Sequence, residues 1–143
     1  MRPHDHITAQ LKGQGIEFEL VQKGFDSSKT SRVSTVIAQW KNIFIGTRTA
    51  PHLDRYLWHI FSYGAAPCSE GADALDELSS QYAADMFIFN ETQQYLIRCW
   101  DKIPVIKELP FRDDIYLCHH NMKWTYVIPH EAPDIGPYFS KGD

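Results

Sequence analysis

Apolar residues in the first half of the chain recur three or four positions apart, as they do on the buried face of a helix. The clearest series predicts a helix that ends at Gly46, and it consists of Val33, Val36, Ile37, Trp40 and Phe44. Shorter helices are predicted over residues 6–12 and after Ser69. Thr49 and Pro51 predict the start of a further helix, which Gly64 ends.

The second half of the chain has the shorter period of strands. Two hairpins are predicted there, with strands at residues 86–89 and 94–100 and then at 115–118 and 123–128. An alternating stretch at residues 16–21 predicts a strand that joins an edge of the same sheet.

Helices followed by hairpins favour the α+β class. We expect residues 1–143 to form a single globular domain. Its N-terminal helices are predicted to pack on one face of a mainly antiparallel sheet, built from the two C-terminal hairpins and the N-terminal strand. Residues 1–5 and 134–143 are predicted to be irregular or mobile, and Pro133 and Pro137 discourage regular structure near the C-terminus.

The predicted helix at residues 50–63 is dense in aromatic side chains. Helical spacing places one group of its residues in a core-facing stripe: Leu53, Tyr56, Leu57, Ile60 and Phe61. The side chains along the edge of that stripe are those of Trp58, His59, Ser62 and Tyr63. These four side chains either complete a core or form a binding site.

The end of the last predicted strand is the second candidate region. Trp124, Tyr126 and Ile128 alternate on one face, and His130 and Glu131 follow just past the strand end. A histidine beside a carboxylate suits acid–base chemistry or ligand binding. The competing interpretation is that His130 and Glu131 satisfy a turn and a core network. The candidate binding site from sequence is therefore Trp58, His59, Ser62, Tyr63, Trp124, His130 and Glu131.

Recognisable catalytic and cofactor signatures do not occur in the sequence. Ser62 lacks the glycine pattern of a nucleophile elbow, and no phosphate-binding glycine loop is present. Cys68, at the predicted start of a helix, would have a lowered thiol pKa and could pair with His59, but no cysteine-protease signature surrounds it. The adjacent acids Asp113 and Asp114 suggest a solvated face. No catalytic residue and no cofactor is expected.

Metal binding is a weaker possibility near the tip of the second hairpin. Cys118, His119 and His120 are ligand residue types, but neighbouring strand positions point to opposite faces. No helical pair of histidines four residues apart is present. We therefore expect polar hairpin residues and no metal site.

Composition narrows the classes of partner. The 143 residues carry a net charge of −4 and no basic run, which disfavours nucleic-acid binding. No stretch approaches the roughly 20 apolar residues of a membrane span, and the N-terminus lacks a signal-peptide core. Three cysteines without a pairing pattern fit reduced thiols. A soluble, cytoplasmic protein without a membrane partner is expected.

Three segments together resemble a family of small bacterial proteins that is catalogued only as a domain of unknown function. They run from Tyr56 to Tyr63, from Cys68 to Ala72 and from Trp124 to Glu131. The resemblance spans residues 16–131 and implies a bacterial, cytoplasmic, single-domain protein, with no assigned activity, cofactor or catalytic residue. Pro129 stands where the usual member has threonine, so the geometry before His130 is expected to differ.

The sequence favours a non-enzymatic interaction protein, of an immunity or regulatory type, that binds a protein partner. The alternative is a small enzyme or ligand-binding protein with a pocket near His59, Ser62, His130 and Glu131. The identity of the partner and the oligomeric state do not follow from the sequence.

Overall fold

Strands from both halves of the chain form one antiparallel sheet in the computed structural model, which describes residues 2, 4–22, 27–82, 85–107, 113–132 and 134–142. Within these residues the strands are β1 (Phe18–Gln22), β2 (Ser69–Glu70), β3 (Met86–Asn90), β4 (Tyr95–Cys99), β5 (Ile115–His119), β6 (Trp124–Ile128) and β7 (Tyr138–Lys141). The helices are α1 (Asp5–Gly13), α2 (Ser27–Trp40), α3 (His59–Ser62) and α4 (Ala72–Ser79), and a π-helical turn (Lys41–Ile45) continues α2.

The strand order is β1-β4-β3-β5-β6-β7-β2, and every neighbouring pair is antiparallel. Both predicted hairpins are confirmed, as β3–β4 and β5–β6. The predicted N-terminal strand is confirmed as β1, which lies at one edge against β4. The α+β class follows from this arrangement.

Helices cover both faces of the sheet, so the prediction of a single covered face was wrong. One face, here called the α2 face, packs Trp40 and Phe61 against strand residues such as Tyr116. The other, the α1 face, packs Leu11 and Leu78 against residues such as Leu117. The physical reason is visible in β5, whose five residues are all buried and therefore supply apolar side chains to both faces. A strand of this kind needs cover on both sides.

The segment before α3 is a series of turns, and the predicted helix at residues 50–63 is reduced to His59–Ser62. The backbone N–H of Leu57 donates to the Glu91 carboxylate, and that of Trp58 donates to the Tyr116 hydroxyl. Because these donors are used by distant side chains, they are not available to helical carbonyls. Trp58 consequently lies in the core, with 2% of its surface exposed, and not along a helix edge.

The C-terminal segment contains regular structure that the sequence analysis did not predict. β7 pairs with β6 along Tyr138–Lys141 and with the short β2 on its other side. Pro137 precedes the strand, where its missing N–H removes no ladder bond. Gly136 has φ 78°, and a Cβ there would lie 2.8 Å from the Pro129 ring, so this approach requires glycine.

The N-terminal prediction also changes, because α1 already begins at Asp5 and His4 is buried. Residues 1, 3 and 143 of the segments predicted to be irregular lie outside the described residues. No helix in the described part of the chain combines the length and apolar character that crossing a membrane requires.

Candidate functional site

A cleft of about 920 Å³ lies at one end of the sheet, where three strand termini meet. Glu91 follows β3, Asp114 precedes β5 and His130 follows β6. The register brings these positions together, because Asn90 pairs with Ile115, which in turn pairs with Ile128.

Residues from outside these strand termini complete the cleft. The turn segment contributes Arg55, Tyr56 and Leu57 to its wall, and the π-helical turn contributes Lys41. Such a volume is in the range of small-molecule sites in proteins, roughly 300–1,000 Å³.

Asp114 and His130 form a hydrogen-bonded pair at the base of the cleft. Asp114 is buried, with 5% of its surface exposed. Its Oδ1 accepts from His130 Nδ1 at 2.9 Å and from the His130 backbone N–H at 2.8 Å. The Trp58 indole N–H donates to the same oxygen at 2.9 Å. These donors compensate for the burial of the carboxylate.

The orientation of His130 determines which of its nitrogens can react. Asp114 Oδ1 accepts from two groups that can only donate, the Trp58 indole N–H and the His130 backbone N–H, so the proton between this oxygen and the ring lies on Nδ1. The other ring nitrogen, Nε2, lies 3.6 Å from Glu131 Oε1. A neutral imidazole held in this way accepts a proton at Nε2, as a general base does.

Glu91 and Tyr116 form a second polar pair in the same region. The Tyr116 hydroxyl donates to Glu91 Oε1, and the Leu57 backbone N–H lies 3.2 Å from both carboxylate oxygens. Burial raises the pKa of Glu91 to about 7, although these two donors act in the opposite direction. Burial, followed by the nearby Glu91 carboxylate, raises the pKa of Tyr116 well above its ordinary value.

Trp58 connects the two pairs. Its backbone N–H donates to the Tyr116 hydroxyl at 3.1 Å, while its indole N–H donates to Asp114. One buried residue therefore fixes both acidic groups relative to the turn segment. A network in which the buried donors and acceptors are paired favours a single rigid geometry.

The structure brings together most of the residues selected from the sequence. The ring centroids of Trp58 and His59 are 4.2 Å apart, and those of Trp58 and His130 are 6.1 Å apart. His59 Nδ1 lies 2.9 Å from Ser62 Oγ, and the Tyr63 ring is 5.3 Å from His59. Of these residues only His130 lines the cleft itself.

Trp124 lies elsewhere. It begins β6, whereas His130 follows the end of that strand, and it packs on the α1 face with its ring 6.1 Å from Phe139. Trp124 and Tyr126 lie on one face of the sheet, as their alternation predicted. That face is the α1 face, whereas Trp58 packs on the α2 face. Trp124 is therefore a core residue remote from the cleft.

The suggested pairing of Cys68 with His59 has no support in the contacts. Cys68 Sγ contacts the Phe61 carbonyl oxygen at 4.0 Å, and His59 contacts Ser62. Burial, followed by the charge of Glu70, raises the pKa of the Cys68 thiol, where the sequence analysis expected a helix terminus to lower it. Burial, followed by His52, lowers the pKa of His59.

The histidines of the β5–β6 hairpin are engaged separately. His119 Nδ1 accepts from the Asn121 backbone N–H at 3.0 Å, and His120 Nδ1 lies 2.9 Å from the Asp85 carbonyl oxygen. Across the residues that the structure describes, no group of three or more histidine, cysteine or acidic side chains is arranged to hold a metal ion.

Sequence reasoning missed the acidic half of the site. It assigned Asp114 to a solvated face, left Glu91 between the strands predicted at residues 86–89 and 94–100, and did not consider Tyr116. A usable signal was present for Asp114, because the β5–β6 hairpin places the residues before β5 and after β6 at the same end of the sheet. Glu91 reaches that end only through the pairing of β3 with β5, which joins the two hairpins. Burial of Asp114 had no such local signal.

The fold and the site define an antiparallel α+β domain with a polar cleft at one end of its sheet. Residues 21–139 match the model of a family described as Domain of unknown function (DUF4275), and the chain belongs to that family. This confirms the resemblance noted in the sequence. No curated protein and no solved structure matches the chain.

Proposed function

We propose that this protein binds a small polar molecule in the cleft and exchanges a proton with it through His130. The observation that supports the proposal is the Asp114–His130 pair, in which a buried carboxylate orients an imidazole that lines the cleft. General bases in enzymes are held by the same type of contact.

Glu91 extends the acid–base capacity of the site. With a pKa of about 7, its carboxyl group exchanges a proton near neutral pH, and it lines the same cleft as His130. His130 is oriented by a carboxylate, and Glu91 has a pKa that burial has raised. Two such groups in one cleft suit proton transfer between positions on a bound molecule.

Covalent catalysis has less support than proton transfer. The Thr92 hydroxyl lies at the cleft and donates to Gln94 Oε1 at 2.8 Å, so no base activates it. The Ser62 hydroxyl contacts His59 within α3, outside the residues that line the cleft. A nucleophile needs a base within hydrogen-bond reach and access to the substrate.

The protein-interaction role favoured by the sequence relied on aromatic side chains as interface contacts. Trp58 and Trp124 are 2% and 3% exposed, so neither is available to a partner on the folded surface. Tyr63, at 51% exposed, is available among the aromatic residues of the predicted site. We therefore place ligand binding ahead of protein interaction.

The test is a binding screen with a matched pair of histidine variants. Isotope-labelled protein is titrated with a panel of small carboxylic acids, amides, amines and sugars, and backbone shifts are mapped. We expect at least one compound to perturb the cleft, with affinity lowered about tenfold by His130→Gln, equivalent to one charge-assisted hydrogen bond. His119→Gln, at the other end of the sheet, should leave the affinity unchanged. The proposal would be contradicted if His130→Gln left the affinity unchanged, or if the perturbed backbone shifts lay outside the cleft.

A further inference from the structure

We infer that the molecule accepted by this cleft carries a planar ring bearing an anionic group, an inference that rests on the proposed function. Tyr56 supplies a surface for the ring, and Arg55 and Lys41 supply positive charge for the anion. All three residues line the cleft together with His130.

The ring of Tyr56 is held in a stack that leaves it rigid. Its centroid lies 5.5 Å from that of Trp58 at an interplanar angle of 20°, and Trp58 lies 6.5 Å from Tyr138 at 21°. Trp58 is fixed in turn by its hydrogen bond to Asp114. Because the tyrosine is already ordered, a planar ligand that packs on it loses little side-chain entropy.

The same tyrosine places such a ligand beside the acid–base group. The ring centroids of Tyr56 and His130 are 5.1 Å apart, with an interplanar angle of 49°. A ring that packs against Tyr56 within the cleft therefore lies next to the imidazole. Proton transfer requires this proximity, because donor and acceptor must come within hydrogen-bond distance.

Lys41 and Arg55 are the cations of the cleft, and an anion can pair with them. Asp114, Glu91 and Asp113 are acidic and line the same cleft, but their oxygens already accept hydrogen bonds from protein donors. Neither Lys41 nor Arg55 forms a salt bridge with a carboxylate of the described residues. Asp54 also lines the cleft and opposes anion binding.

Arg55 directly precedes Tyr56 in the turn segment, where the backbone N–H groups of both donate to the His52 carbonyl oxygen, at 3.0 and 3.3 Å. The guanidinium and the ring are therefore carried by one turn. In an aryl carboxylate the planar ring and the charged group are directly bonded, as Tyr56 and Arg55 are adjacent in the turn. Arginine binds a carboxylate through two parallel hydrogen bonds.

Three matched compounds separate the two features without any mutation. Benzoate has both the ring and the charge, cyclohexanecarboxylate has the charge without a planar ring, and benzamide has the ring without the charge. We expect benzoate to bind the wild-type protein about five- to tenfold more tightly than either of the others, as one stacking contact or one ion pair provides. Equal affinity for benzoate and either of the other compounds would overturn the inference.

Variants then assign each feature to its residue. Tyr56→Leu should remove the preference for benzoate over cyclohexanecarboxylate, and Tyr56→Phe should retain it. Arg55→Gln should remove the preference over benzamide, whereas Arg48→Gln, on an exposed residue outside the cleft lining, should not. Asp54→Asn should strengthen benzoate binding about twofold, because it removes an opposing charge.

The two proposals can fail separately. If another compound class binds with dependence on His130 while benzoate shows no preference, the substrate class is wrong and the proposed function stands. If benzoate binds with the expected preferences but His130→Gln changes neither affinity nor its pH dependence, the ligand class stands and the proton-exchange role fails.

Discussion

The two ends of the central strands hold similar residues in different environments. At the cleft end, Asp114 and His130 flank β5 and β6 and open onto a cleft of about 920 Å³. At the opposite end, Asp85, His119 and His120 lie together, and His120 borders a depression of about 220 Å³. Residue types alone therefore do not distinguish a site from an ordinary hairpin end.

The partner of each carboxylate makes the difference. Asp114 is buried and accepts from a tryptophan and a histidine, neither of which carries a permanent charge. Asp85 is partly exposed and pairs with Arg98 at 3.0 Å, so an arginine neutralises it and the neighbouring histidines bind backbone groups. Only the first arrangement gives an imidazole the support of a carboxylate.

Removing the two carboxylates is expected to give the largest contrast. Asp114→Ala leaves the Trp58 indole N–H and the backbone N–H of His130 buried without an acceptor, at a cost of about 3–5 kcal/mol in the free energy of unfolding. Asp85→Ala breaks a half-exposed ion pair and should cost about 1 kcal/mol or less. Urea unfolding of both variants measures the difference. Similar losses would show that the ends do not differ as described.

The pH dependence of stability should identify Glu91 as a feature of the cleft end. Its pKa is raised from 4.5 to about 7 on folding, so the folded protein retains a proton that the unfolded chain releases. The protonated carboxyl group therefore stabilises the folded state fully below about pH 4.5, and this stabilisation is lost as the pH rises through about 7. The shift in pKa corresponds to about 3 kcal/mol in the free energy of unfolding. Glu91→Gln should remove that slope from the curve of unfolding free energy against pH.

The control for this experiment comes from the opposite end. Asp85→Asn should keep the slope of the wild-type protein, since Glu91 is intact. Parallel curves for the wild-type protein and Glu91→Gln would contradict the assignment, because no proton uptake by Glu91 would then accompany folding.

The two tryptophans at the ends of the sheet form a smaller matched comparison. Trp58→Phe and Trp124→Phe remove similar buried ring volume, but Trp58 also donates to the Asp114 carboxylate. Among the described residues Trp124 has no side-chain partner for its indole N–H. We expect Trp58→Phe to cost about 1.5–3 kcal/mol more in urea unfolding. Equal costs would indicate that the indole hydrogen bond adds nothing to stability.

The sequence predicted the elements whose determinants are local. Alternating apolar residues and a polar turn were sufficient for β3, observed at Met86–Asn90 against a prediction of 86–89. The helix at residues 50–63 was predicted on the same basis and was wrong over most of its length. Its apolar spacing fits a helix, but the donors of Leu57 and Trp58 are used by residues more than 30 positions away.

The same limit explains the result for the candidate site. His130 was found because it follows a predicted strand, and Trp58 because of its aromatic neighbours. Asp114 was set aside because it is adjacent to Asp113, and local spacing does not indicate that one of two neighbouring acids is buried. The predicted β5–β6 hairpin already brought Asp114 to the same end as His130, but the burial of Asp114 depends on Trp58, which is 56 positions away in the sequence.

The proton positions on the histidines provide the finest comparison, with no change in stability. His130 Nδ1 faces a carboxylate and should carry a proton, whereas His119 Nδ1 accepts from the Asn121 N–H, so its neutral form carries the proton on Nε2. Burial, followed by His120, lowers the pKa of His119, which keeps it neutral near pH 7. Long-range ¹⁵N–¹H correlation of the imidazoles distinguishes the two tautomers directly. A proton found only on Nε2 of His130 would require a protonated Asp114, and the pair would then lack the charge that makes His130 an oriented base.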